Sequence, residues 1–116
     1  MKEVPAGMQP YKRTAVFTEA SMPAALRARH NTKPGAWARI VVLSGRLRYR
    51  IESDPPEEWE LTPERPGVIE ESVYHAVEPL GSVSFYLEFY KQPDTDAARL
   101  ARPMDRELGF REDGGD

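Results

Sequence analysis

Cysteine is absent from the 116 residues of this chain, which excludes a disulfide framework, a zinc ribbon, a thiol nucleophile and an iron–sulfur cluster together. Long apolar runs are absent too. The longest is Ile40–Leu43, far short of the ~20 residues of a membrane-spanning helix, and the start MKEVPAGMQPYKRT lacks the apolar stretch of a signal peptide. The chain is therefore expected to be soluble and cytoplasmic, with no membrane partner. An excess of positive charge is missing as well: sixteen Lys and Arg face nineteen Asp and Glu, net −3, and the signs are interspersed. No basic field exists to attract a phosphate backbone, so nucleic acid is not expected as a partner. No serine lies in a recognisable nucleophile elbow and no histidine has an evident relay partner, which disfavours hydrolase chemistry of that type.

Proline, by contrast, is abundant. Its eleven residues are about twice the usual ~5%, and their spacing leaves long helices no room. The longest proline-free window, residues 35–54, reads as a β-hairpin. Leu47, Tyr49 and Ile51 alternate with Arg46, Arg48, Arg50 and Glu52, the pattern of a strand with one dry face. Residues 36–43 are apolar on both faces, and Ser44–Gly45 supplies a turn in which glycine can take positive φ. A strand apolar on both faces belongs inside a sandwich or barrel. Further strands are expected at Trp59–Leu61, Val68–Ile69, Tyr74–Val77 and Val83–Lys91, with weaker elements at Thr14–Phe17 and Ala24–Ala28. In Val83–Lys91, Val83, Phe85, Leu87 and Phe89 share one face, and Ser84, Tyr86, Glu88 and Tyr90 the other. The expected organisation is one all-β domain over residues 1–92, a small antiparallel barrel, followed by a charged tail over 93–116 with a short helix near Thr95–Arg102.

The runs HNTKPGAWARIVVLSGRLRYR (from His30), LTPERPGVIEESVYHAVEPLG (from Leu61) and SVSFYLEFYK (to Lys91) resemble the tellurite-resistance protein B-like family of short cupin-like domains. The resemblance covers roughly residues 11–92 and rests on several separated blocks. It implies a cupin-like barrel of the double-stranded β-helix or jelly-roll type. A methyltransferase portion is not expected, because no glycine-rich loop joins a strand to a helix. Against the metal-binding cupin pattern, Gly45 matches the glycine turn, and His75 matches the histidine of the second motif. His30 falls near the first-motif histidines. Ala38 stands where that motif has its glutamate and Thr32 where it has a second histidine, while Glu70 and Ser72 replace a proline and a glycine.

Two imidazoles and a carboxylate can hold a divalent ion with open positions, as in non-haem Fe(II) or catalytic Zn sites. The expected ligands are His30 and His75 with Glu88 or Glu70, for Zn, Fe or Mn. Glu88 leads because a charge set between Tyr86 and Tyr90 in mid-strand is costly without a cation or partner. Lys33, Trp37 and Tyr86 are candidates for contacting a small molecule or anion. Each has a plainer alternative: a satisfied core histidine, a core tryptophan, a solvated lysine, a glutamate paired with arginine. The arginine row is most simply a wet face paired with Glu58 and Glu60, and the sheet faces offer area for a homodimer. Two readings follow. One is a metal-binding protein acting on or binding a small anion or oxidisable molecule; the other is a non-catalytic small-molecule-binding or stress-response module.

Overall fold

In the computed structural model the described residues are 1–93, and the expected helix at Thr95–Arg102 lies outside them. The strands are β1 (Gln9–Arg13), β2 (Phe17–Thr18), β3 (Trp37–Ser44), β4 (Leu47–Ile51), β5 (Glu57–Leu61), β6 (Gly67–Ile69), β7 (His75–Pro79) and β8 (Ser84–Lys91), with one short helix, α1 (Ala24–Arg27). They make two antiparallel sheets, one in the order β1-β8-β3-β6 with β2 also on β8, the other in the order β5-β4-β7. Among the described residues the fold is thus almost all β, as expected. No named strand is paired into both sheets, so these residues form two sheets packed face to face, and the closed barrel expected from the sequence is not found.

The alternation of side chains decides what lies between the sheets. From the larger sheet come Ala38, Ile40 and Val42 of β3 with Phe85, Leu87 and Phe89 of β8; from the smaller come Leu47, Tyr49 and Ile51 of β4, Leu61 of β5 and Val77 of β7. Leu26 of α1 closes one side, fully buried. Burying a side chain of this size contributes about 1.5–3 kcal/mol, and one continuous cluster joins both sheets.

The expected hairpin at Ser44–Gly45 does not form. β3 pairs with β6 and β8, whereas β4 pairs with β5 and β7. The turn carries the chain from one sheet to the other. Gly45 has φ +81°, and a Cβ there would lie 2.1 Å from the Ser82 carbonyl oxygen. The bend therefore passes against the loop before β8, where only glycine fits. Period-2 alternation marks β4 and an apolar run marks β3, but neither pattern carries information about which strand each one pairs with.

At the other edge, β1 and β2 follow one another along β8. Between them Thr14 stitches the chain to the sheet: its N–H donates to the Leu87 carbonyl (2.9 Å) and its Oγ1 accepts from the Leu87 N–H (3.0 Å). Pro10 sits in β1, an edge strand that tolerates a missing donor. No helix among the described residues is long and apolar enough to cross a membrane.

Candidate functional site

The first residue of β7, His75, faces the core because β7 alternates inward His75 and Val77 with outward Ala76 and Glu78. The loop ahead of β3 runs antiparallel to it. The His30 N–H donates to the His75 carbonyl (2.9 Å), and the His75 N–H donates to the His30 carbonyl (2.7 Å). Thr32, almost wholly buried, pins the same loop by donating from Oγ1 to the Ala36 carbonyl (3.0 Å). The two imidazoles meet edge to face, 5.5 Å between centroids, and the Tyr49 ring lies 6.1 Å from that of His75. Tyr49 donates its hydroxyl to the Val68 carbonyl at 2.7 Å. Residues far apart in the chain thus form one aromatic cluster between the sheets.

Its electrostatics follow from dryness. His75 is 1% exposed, and burial, with repulsion from His30 added, brings its pKa to about 4 against the opposing effect of its hydrogen bond to Val73. It is neutral at neutral pH. The Val73 carbonyl, 3.0 Å from Nδ1, can only accept, so the proton sits on Nδ1 and Nε2 carries a lone pair. That Nε2 is buried with no hydrogen-bond partner among the described residues. Burial, then the negative charges of Glu57 and Glu70, push the Tyr49 phenol up, so it stays a donor.

The other expected residues lie elsewhere. Trp37, Tyr86 and Glu88 occupy the outer face of the larger sheet, because Phe85, Leu87 and Phe89 take the inner positions of β8. Trp37 is opposite Tyr90 in the β3–β8 register and is buried to 8% exposure. Tyr86 lies under the Arg13 guanidinium, 4.5 Å from carbon to ring centroid. Glu88 accepts from the Tyr90 hydroxyl (2.7 Å) and from Arg13 (3.3 Å). Glu70 sits after β6 at the mouth between the sheets, bound to Lys2 at 2.9 Å and lining a cavity of about 420 Å³. Lys33 is half-buried in the loop before β3, where its carbonyl accepts from the Ala36 N–H (3.1 Å).

The expected divalent metal, Zn, Fe or Mn on His30, His75 and Glu88 or Glu70, is corrected by this geometry. Glu88 faces the opposite side of its sheet and already has two donors, Glu70 is held by Lys2, and no three His, Cys, Asp or Glu side chains group to hold an ion among the described residues. Sequence reasoning missed Tyr49 as a member of the cluster, reading it only as one position of a dry face. Its hydroxyl was the available signal, since a buried tyrosine needs a partner for that group.

Comparison with known proteins points the same way. The family model described as the TehB-like domain matches residues 12–87. The probable S-adenosyl-L-methionine-dependent methyltransferase TehB of Haemophilus influenzae strain Rd is 30% identical over 114 residues, spanning 80% of this chain and 40% of that protein. The protein of the same name from strain 10810 is 32% identical over 74 residues, spanning 60% of this chain and 26% of its own length. The crystal structure of Haemophilus influenzae TehB superposes with a TM-score of 0.68 at 29% identity, over 75% of this chain and 32% of that one. A crystallised protein of Escherichia coli K12 has the same fold, with a TM-score of 0.74 at 21% identity, over 81% of this chain and all of that one. This chain spans well under half the length of the curated relatives it matches. These relatives are named for methyl transfer, which overturns the expected metal-binding function and the expected divalent-metal cofactor; the family match bears out the TehB-like resemblance, and nothing in it shows a cupin-like domain.

Proposed function

The chain belongs to the TehB-like family, and on that premise we propose that it serves S-adenosylmethionine-dependent methyl transfer as a β-sheet module, working beside a separate module that holds the methyl donor. The observation that carries this reading is the coverage: the matched residues make up most of this chain but only 40% of a relative named as a methyltransferase. The described residues do not fit the donor themselves. The doubly wound solution for a nucleotide-type ligand uses a glycine-rich strand-to-helix turn and a helix N-terminus, whereas α1 has four residues and follows Pro23 without a side-chain cap. The space between the sheets is filled by Tyr49, Phe85, Phe89 and Leu87, each no more than 1% exposed. No methyl-transfer step is therefore assigned to these side chains.

The strand order supports a finer reading of the fold as a jelly roll, two Greek keys wrapped into facing sheets. First strand pairs with last, third with sixth and fourth with fifth. The His30–His75 bridge lies on β7, where a jelly roll has its second strand, while β2 itself is drawn to β8.

The test is a segment swap. The residues of Haemophilus influenzae TehB that align with this chain are replaced by this chain, and transfer of a labelled methyl group from S-adenosylmethionine is compared with that of TehB lacking the segment. The swapped protein is expected to recover activity that the truncated one loses. Equal activity in the two, or tight binding of S-adenosylmethionine by this chain alone in calorimetry, would overturn the reading.

A further inference from the structure

The outer face of the smaller sheet carries a groove of about 470 Å³ that the methyl-transfer reading does not use. Its floor is Ala76, the outward residue of β7. Arg48 and Arg50 reach it from β4 and Arg27 from the end of α1, with Glu58 and Glu78 as the acidic lining. Three guanidinium groups against two carboxylates give the groove a net positive lining in a chain whose net charge is −3.

These arginines are only lightly engaged. Arg48 binds Glu78 at 3.1 Å, and Arg50 stands 3.7 Å from Glu58, outside hydrogen-bonding distance. Arg27 has no carboxylate among the described residues; it donates to the Glu19 main-chain carbonyl at 2.7 Å, while the Glu19 carboxylate accepts from the Val83 N–H. The Glu58 and Glu78 side chains are more than half exposed. Exposed pairs of this kind hold weakly and exchange readily. Most of the N–H donors of the three planar forks are therefore available, and such forks match the oxygens of a planar or tetrahedral oxyanion two at a time.

We propose that this groove binds the oxyanion group of a small molecule, either a free inorganic oxyanion or a phosphoryl group on a larger compound, through Arg27, Arg48 and Arg50. The site is independent of the methyl-transfer reading and stands or falls separately from it. Side-chain alternation along β4 puts two of the cations on one face, and α1 brings the third across β7.

The experiment is an NMR titration of the full chain, following the arginine Nε–H signals, with inorganic phosphate and then glycerol phosphate at constant ionic strength set by sodium chloride. Saturable shifts at Arg27, Arg48 and Arg50 are expected. Arg27→Gln and Arg48→Gln are expected to weaken binding roughly tenfold each, as loss of a charge-assisted contact implies. Arg46→Gln is expected to leave it unchanged, because Arg46 pairs with Glu60 outside the groove. Glu78→Gln is expected to tighten it. Saturation by both probes assigns the site to the bare oxyanion group, and saturation by the ester alone assigns it to a larger phosphorylated compound. Shifts that never saturate, or an equal loss in Arg46→Gln, would overturn the proposal. All four side chains are exposed, so the fold is expected to persist in every variant, as the backbone amide spectrum will report.

Discussion

Lowering the pH from 7 to 4.5 is expected to weaken this fold through one buried ring. In the unfolded chain His75 takes up a proton near pH ~6.5. In the folded chain burial delays uptake to about 4. Between those values the unfolded state binds more protons, so stability falls as pH falls; above ~6.5 the ring is neutral in both states and contributes nothing. The displacement is worth roughly 3 kcal/mol in full, of which roughly 2.5 kcal/mol is expressed between pH 7 and 4.5. The matched control is His75→Asn, whose amide can still donate to the Val73 carbonyl but does not titrate. Urea unfolding of both proteins at the two pH values isolates the ring. With a slope of about 2 kcal/mol per molar, typical of small domains, the wild-type midpoint should drop about 1 M further than that of the variant. Glu19 and Glu57, both held below the usual carboxylate range by hydrogen bonds, also lose stability as pH falls, but equally in both proteins. Identical pH dependence in wild type and variant would refute the claim that His75 is buried as a neutral ring.

Three further outcomes follow from the same geometry. Gly45→Ala is expected to cost more than about 3 kcal/mol in urea unfolding, because positive φ and the Ser82 carbonyl both oppose a Cβ, whereas Gly35→Ala, also at positive φ but with open space around it, should cost only about 1 kcal/mol. Tyr49→Phe leaves the Val68 carbonyl without its hydroxyl donor and should cost about 1–3 kcal/mol by the same measurement. Adding a chelator to the purified chain should leave its thermal midpoint unchanged, since the two buried histidines have no carboxylate beside them among the described residues.

Alternation in the sequence marks β4 and β8 and the inward side of each, whereas β1 carries no such pattern and the weak element expected at Thr14–Phe17 shares only Phe17 with β2. Alternation in Leu47–Ile51 and Val83–Lys91 follows directly from which side chains must leave water, and it correctly placed Phe85, Leu87 and Phe89 inward. It therefore also implied that Glu88 faces away from them, although the cost of a charge in mid-strand drew attention to that residue as a ligand. Arginine at positions 46, 48 and 50 was legible as a wet face for the same reason. Strand partners, by contrast, are set by the folded chain as a whole. Side-chain period says which face a residue takes, while pairing depends on how two sheets close over one core, so β3 and β4, adjacent in sequence, lie in different sheets. That long-range closure brings His30 onto His75, sets Tyr49 against His75, and carries Arg27 across β7 to Arg48 and Arg50. Such meetings join residues more than twenty positions apart, and no local pattern encodes them.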